Sequence, residues 1–417
     1  MTLKRIYTTK QIEVLKNAVN QDWRFLINHG AKRSGKTVID NDLFLMELMR
    51  VKKLAKLEGV DHPMYILAGF SSKSVQNNVL QELTNKYGFE FKYDKHNSFE
   101  LFGVKVVQTF TGSISGLGAI RGMTAWGAYI NEASLANQEV FEEIKDRCSA
   151  TGARIICDTN PDNPMHWLKK DYIDNTDPEA RIMSFHFTLD DNRQFLSDDY
   201  ISSQKASTPS GMFYDRSIRG LWVTGEGAVY RDFDERETLI DQEDVPDIKT
   251  YYCGVDWGYE HKGSIVLFGD DYNGNTYLLE EHTSQFKEID YWVDIAKSIK
   301  ERYGDINFWC DSARPEHVAR FIREDLNAMN ADKSVISGIE AVAKLIKTHR
   351  FYVVRQAVTK TPDKQDTYYL EEVNNYVWDK KTGEPVKAND DVMDAKRYAI
   401  YTQHLDYNII ESKGGIV

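Results

Sequence analysis

The sequence predicts an α/β protein in two successive parts, and three observations carry that reading. Gly30-Ala31-Lys32-Arg33-Ser34-Gly35-Lys36-Thr37 satisfies GxxxxGK[ST] between an apolar run, Trp23 to Asn28, and Ile39, Leu43, Met46 and Met49, which recur at helical spacing. Strand-like and helical runs then alternate through residues 1–205, the order of a central, mostly parallel sheet with covering helices. Residues 248–417 have a different grammar: antiparallel strands, a crossover helix, a strand ending in an acid and a late helix that begins with acids.

Each element follows from its residues. In the first part, strands are expected at Phe25 to Asn28, Tyr65 to Ala68, Lys105 to Gln108, Ala128 to Ile130, Arg154 to Cys157 and Met183 to Phe187. Residues 206–247 change texture, with Ser207-Thr208-Pro209-Ser210-Gly211, Gly225-Glu226-Gly227 and the acidic Asp241 to Asp247; they read as a linker or lid with a small hairpin. The second part opens on Tyr251-Tyr252-Cys253-Gly254-Val255-Asp256, continues with Ser264 to Phe268, and turns at Asn273-Gly274 into Thr276 to Leu279, an antiparallel meander. Ile289, Trp292, Val293, Ala296 and Ile299 mark an amphipathic helix that ends near Gly304. The strand Ile306 to Cys310 stops at Asp311, and Pro315 suits the first turn of the next helix. The first part therefore reads as a P-loop NTPase domain and the second as a ribonuclease H-like mixed α/β domain.

Bulk properties agree. A chain of 417 residues exceeds what one core usually serves, so two domains are expected. No apolar run approaches the roughly 20 residues of a membrane span. The opening MTLKRIYTTK lacks the apolar region of a signal peptide, so a soluble intracellular protein without a membrane partner is expected. Cys148, Cys157, Cys253 and Cys310 lack CxxC spacing, and they read as buried thiols rather than a zinc site or a disulfide framework. The formal charge of −12 argues against a uniformly basic surface that coats nucleic acid, but carboxylates gathered around metal ions lower net charge without covering a separate basic groove.

The phosphate loop carries the first chemistry. A strand, a glycine-bearing loop and a helix N-terminus aim backbone N–H groups and the positive end of the helix dipole at one point, where phosphate oxygens can sit. Residues 30–37 are thus expected to bind ATP, with Lys36 reaching the β and γ phosphates and Thr37 ligating Mg²⁺. Ala128-Tyr129-Ile130-Asn131-Glu132 ends an apolar strand in a polar pair, which makes Glu132 the candidate base that orients water. Cys157-Asp158-Thr159-Asn160-Pro161 presents a hydroxyl and an amide suited to sensing the γ phosphate, or else only a proline turn. Gln11, after Tyr7, Thr8 and Thr9, would contact adenine together with an aromatic ring, unless the threonines merely cap a helix. Arg33 would spread charge over the γ phosphate as an arginine finger, or pair with a neighbouring acid. Arg121 would act similarly or touch DNA, or its glycine neighbours mark only a mobile loop.

Asp256, Asp311 and the cluster Asp390, Asp391 and Asp394 form the second constellation. Carboxylate oxygens are hard ligands suited to Mg²⁺ or Mn²⁺. Two such ions about 4 Å apart would activate water and stabilise the leaving oxygen in phosphodiester cleavage. Asp391 and Asp394, three positions apart, share a helix face, and Asp390 is expected farther outward.

Taken together, GAKRSGKT at 30–37, WGAYINEAS at 126–134, CDTNP at 157–161, GVDWGY at 254–259, WCDSARPEHV at 309–318 and NDDVMDAKRYA at 389–399 resemble the large terminase subunit of tailed bacteriophages, most like the PBSX-type branch. The resemblance spans nearly the whole chain in order. It implies a packaging ATPase over 1–205, a linker or lid over 206–247 and an endonuclease over 248–417 that cuts concatemeric DNA. It implies ATP with Mg²⁺ as one cofactor set and Mg²⁺ or Mn²⁺, as two ions, for the nuclease. Its partners would be double-stranded DNA, a small terminase subunit and a portal ring on which several copies assemble. Its place would be the cytoplasm of the infected host and not the mature virion. Matched residue by residue, Lys36 and Thr37 fall on nucleotide and metal positions, Glu132 on the catalytic acid, Asn160 in the coupling motif, and Asp256 and Asp311 on nuclease ligands. The third ligand precedes the step Asp394-Ala395 by three positions, which favours Asp391 with Asp394 as an additional ligand or orienting partner. Asn131 departs from the family's usual aspartate, and Asn131→Asp is expected to tighten the use of Mg²⁺. A P-loop helicase or recombination ATPase would leave the C-terminal acids without purpose, and a ribonuclease H-like transposase or resolvase would need no phosphate loop.

Overall fold

The computed structural model of the chain describes residues 3–361 and 366–414, with side chains up to 405. It divides into two compact units, one of Met1–Lys205 with Tyr214–Val223, the other of Ala206–Phe213 with Thr224–Val417. The stretch expected as a linker is thus shared between them. No helix among the described residues is long and apolar enough to cross a membrane.

The first unit is built on seven strands: β1 (Phe25–Gly30), β2 (Met64–Gly69), β3 (Ser98–Leu101), β4 (Val104–Phe110), β5 (Gly127–Asn131), β6 (Arg154–Thr159) and β7 (Ile182–Phe187). Their order is β3-β4-β2-β5-β6-β1-β7. All neighbours are parallel except β3, which pairs antiparallel with β4 at the edge. The six expected strands lie within β1, β2, β4, β5, β6 and β7. Four residues, SFEL, are too few to show a period, and so β3 leaves no sequence signal. Strand order puts the C-terminal ends of β5 and β6 beside the end of β1, where parallel sheets collect ligands.

Helix α1 spans Thr9–Asn20 and helix α2 spans Lys36–Leu57. The buried stripe of α2 differs from the expected one: Ile39 and Leu43 are buried, but Met46 and Met49 are exposed, and Phe44, Leu48, Val51 and Ala55 take their place. A stripe of 100° or more admits either set on periodicity alone, and the sheet selects the set that meets it. Leu26, Tyr129 and Ile156 pack with α2 in one core, whereas Ile27, Ala128, Ile130, Ile155 and Cys157 face a second core on the other side. Since side chains alternate along a strand, Asn28, Asn131 and Asp158 share the α2 face.

The second unit carries β8 (Leu239–Ile240), β9 (Ile248–Asp256), β10 (Gly263–Asp271), β11 (Thr276–Ser284), β12 (Asn307–Cys310), β13 (Asn327–Asn330) and β14 (Phe351–Val354), in the order β13-β12-β9-β10-β11-β14-β8. The expected meander is β9, β10 and β11, antiparallel throughout. A parallel partner, β12, joins the other side of β9. The small hairpin expected within 206–247 is not found among the described residues. Ala228 bridges to Val377 and β8 pairs with β14, partners far along the chain that local turn signals cannot reveal. All four cysteines are buried free thiols.

The helix Asp391–Gly414 packs on β9, β10 and β12. Gly254 allows this approach, because a Cβ there would stand 1.9 Å from the Ala395 carbonyl oxygen. Gly254→Ala is therefore expected to lower stability by at least the ~1–3 kcal/mol typical of overpacking. Chemical denaturation of the full chain measures it, and an unchanged midpoint would show that the helix can shift without cost.

Candidate nucleotide and metal sites

Strand β1 ends at Gly30 with φ 138°. A Cβ at that position would lie 2.0 Å from the Phe187 carbonyl oxygen, so only glycine starts the loop here. Helix α2 begins at Lys36 behind Gly35, φ 90°, and no side chain caps its N-terminus. The first N–H groups of a 22-residue helix are thus free of side-chain partners, the feature that fits phosphate. Lys36 Nζ turns into the loop and donates to the carbonyl oxygens of Gly30 at 2.9 Å and Ala31 at 2.6 Å and to Asn160 Oδ1 at 3.2 Å. Burial pulls this ammonium down to about 8, against the opposing pull of Asp158 and Asp40. Ser34 Oγ donates to the Ala31 carbonyl at 2.7 Å. Lys32 and Arg33 are exposed, Arg33 in the left-handed region at φ 58°, and Thr37 is half-buried.

Thr8 caps α1 in a reciprocal box: Gln11 N donates to Thr8 Oγ1 at 3.2 Å and Thr8 N donates to Gln11 Oε1 at 2.9 Å. The other end of the Gln11 amide donates to the Gly35 carbonyl at 2.8 Å, tying α1 to the phosphate loop. Tyr7 donates its hydroxyl to Asp42 Oδ2 at 2.9 Å. Arg121 is exposed just after the short helix Leu117–Ile120.

Glu132 follows β5 in the left-handed conformation, φ 58° and ψ 48°. Such a backbone costs roughly 1–3 kcal/mol in a residue other than glycine and collects at functional sites. Burial, then the neighbouring Asp158 charge, raises its carboxyl group above the ordinary value. Thr159 Oγ1 accepts from Ser134 N at 3.0 Å, so the ends of β5 and β6 are bonded together while Asn160 reaches Lys36. Glu132→Gln is expected to keep ATP affinity and lose about 10²–10⁴ in turnover, the scale of general acid–base catalysis. Nucleotide titration beside steady-state hydrolysis checks this, and lost binding would mark Glu132 as structural.

Asn131, at the end of β5, is bonded to the neighbouring strand. Its Nδ2 donates to both Asp158 carboxylate oxygens, at 2.9 and 3.0 Å. An aspartate at 131 would face that carboxylate across hydrogen-bond distance, so Asn131→Asp exchanges a hydrogen bond for a repulsion that a bound cation has to offset. Asp158 has no role legible within its own motif, because the register that sets it beside Asn131 is a tertiary fact.

In the second unit, Asp256 ends β9. The Cys310↔Val255 register puts Asp311 on the adjacent strand, its N–H donating to the Val255 carbonyl at 2.9 Å. Asp391 is 9% exposed at the start of its helix, against half-buried Asp390 and Asp394. Ligand atoms of Asp256, His261 and Asp391 lie within 4.8 Å of one another, and His261 Nδ1 stands 3.0 Å from Asp391 Oδ1. Burial, then Asp394, Asp311, Asp391 and Asp390, hold the Asp256 carboxyl well above its ordinary range. Crowding of this kind is relieved by a divalent cation, and the carboxylate oxygens fit Mg²⁺ or Mn²⁺.

Asp311 and Asp394 have protein partners. Asp311 Oδ1 accepts from Lys333 Nζ at 2.7 Å, and Asp394 accepts from Arg397 at 2.8 Å and from the Tyr398 hydroxyl at 3.2 Å. Glu372, buried, accepts from the N–H groups of Val392 at 2.8 Å and Met393 at 3.3 Å and so caps the helix that presents Asp391. Burial pushes its carboxyl up to about 8. His261, Lys333 and Glu372 carry no mark in the sequence. His261 follows Asp256 by five positions in an irregular segment, and the other two are far along the chain, so no spacing rule singles them out.

Residues 28–237 match the family model described as terminase large subunit, T4likevirus-type, N-terminal. That is the T4-like type, whereas the motifs resemble the PBSX type, and the two agree at the level of the large terminase subunit. Among solved structures, the chain is similar to the large terminase of a thermophilic bacteriophage in complex with ADP, at 25% identity and TM-score 0.74, covering 94% of this chain and 98% of that one. Another crystal form of the same phage protein gives 24% identity and TM-score 0.77, with 96% and 99% covered. No curated protein matches the chain in sequence.

Proposed function

The chain belongs to the family of phage large terminase subunits, and from that premise we propose that its first unit hydrolyses ATP to drive double-stranded DNA into a procapsid while its second cleaves DNA with divalent metal ions. The observation that carries the proposal is a phosphate loop with an uncapped helix N-terminus and, in the same chain, Asp256, His261 and Asp391 converging at strand and helix ends. The relative from the thermophilic phage holds ADP, which supports the nucleotide reading.

In this proposal Lys36 exchanges its loop carbonyl partners for phosphate oxygens, and the helix N-terminus meets their charge. Thr37 would hold the nucleotide's Mg²⁺, Arg33 would lean over the transferred phosphate, and Glu132 would take the proton of the attacking water. Asn160, bonded to Lys36, would report the γ phosphate to β6. Asp256, Asp391, Asp311 and His261 would hold the nuclease cations. Bound ions would lower the pKa of water and stabilise the leaving oxygen. Glu372 keeps Asp391 at the head of its helix.

The proposal includes assembly of several copies on the portal with a small terminase subunit, in the cytoplasm of the infected host. ATP-driven capture of linear DNA by procapsids tests it. Protection of DNA from added nuclease is the expected result. Strand separation of a forked duplex without capture would instead indicate a helicase.

A further inference from the structure

We infer that Asp158, on β6, supplies the carboxylate that in this chain positions the water shell of the nucleotide-bound cation, with Asn131 on β5 acting as the amide that aims it. The inference rests on the phosphate-loop reading and assigns a residue to it.

Asn131 and Asp158 are register neighbours, since Ile130 pairs with Cys157 on parallel strands, and both point to the α2 face that begins at Lys36. The Asn131 amide is oriented by its partners on both sides. Its Oδ1 accepts from Asn78 Nδ2 at 3.0 Å, which leaves its Nδ2 for Asp158. Glu132 N at 2.8 Å and the Tyr129 hydroxyl at 3.2 Å complete the set, so three donor groups fix one carboxylate that is 2% exposed. Outer partners of this kind orient what surrounds a metal ion and are felt in its affinity.

Asp40 is the other acid on this face near Lys36. It is fully buried, accepts from Asn28 Nδ2 at 2.6 Å, and burial pushes its carboxyl well up, which suits a neutral group. Asp158, two residues before the Asn160 that bonds Lys36, is the carboxylate that β6 carries toward the loop, one strand over from the position where a neutral amide stands. The ammonium of Lys36 already feels Asp158 more than any other charge.

The test is binding of a fluorescent ADP analogue to the full chain, titrated in Mg²⁺ and again in EDTA. Asp158→Asn is expected to lose about 10-fold or more of the tightening by Mg²⁺, read against its own affinity in EDTA, the scale of losing an outer partner. Exchanging the two groups, Asn131→Asp with Asp158→Asn, should restore it, because carboxylate and amide have traded places. Full tightening retained in Asp158→Asn would overturn the inference. So would a loss equal in Mg²⁺ and EDTA that the exchange does not repair, the behaviour of a merely structural group. An unsubstituted chain that binds no ADP would instead remove the phosphate-loop reading itself.

Discussion

Lys36→Ala abolishes ATP hydrolysis and DNA translocation, with a fall of at least about 10²–10³ in turnover, while DNA cleavage by the second unit persists. The magnitude follows from losing one preorganised electrostatic contact to developing phosphate charge. The Lys36 ammonium serves the Gly30 and Ala31 carbonyls and Asn160, so its removal also takes one donor from each of those acceptors and cuts the link to β6. Buried acceptors left unpaired cost about 1–3 kcal/mol. Cleavage measured on the same preparation separates this chemical loss from general unfolding. ATPase at near-normal rate would overturn the assignment of the loop.

Asp391→Ala gives the complementary result: metal-dependent cleavage falls by more than about 100-fold, beyond the range typical of partners outside the ligand set, while ATP hydrolysis stays intact. Asp391 shares a ligand cluster with Asp256 and His261 and stands at the head of a helix held by Glu372. The alanine removes one carboxylate and takes from His261 its carboxylate partner. Asp256→Ala and Asp311→Ala are expected to behave alike. A plasmid-nicking assay titrated with Mn²⁺ reads the loss. Normal cutting by Asp391→Ala together with failure of Asp394→Ala would move the ligand one helical turn onward, and the Asp394 pairs to Arg397 and Tyr398 argue against that outcome.

Some features were legible because their physics is local. A glycine loop between a strand and a helix announces itself in eight residues, and the six strands expected in the first unit show as apolar runs between turn signals. Gly304, at φ 82°, ends the helix Ile289–Tyr303 as its place in the pattern implied, and Pro315 opens the next. What periodicity could not choose was phase: Met46 and Met49 have the spacing of a buried stripe, but α2 turns Phe44 and Leu48 to the sheet instead.

The sequence by itself determined the two-part α/β plan, the loop at 30–37, Glu132 after its strand and the acids at 256, 311 and 390–394. Each of these depends on residues within one element or one turn of one another. Only the tertiary structure decided which side chains meet: Asn131 with Asp158, His261 with Asp391, Lys333 with Asp311, and Glu372 with the helix start at Val392. Those meetings depend on strand register and on closure of loops between residues 20 to 130 positions apart, with no period or motif to mark them in the chain. Glu132's acidity and Asp256's crowding follow from the same meetings, because burial and neighbouring charge belong to the folded arrangement and to no single residue.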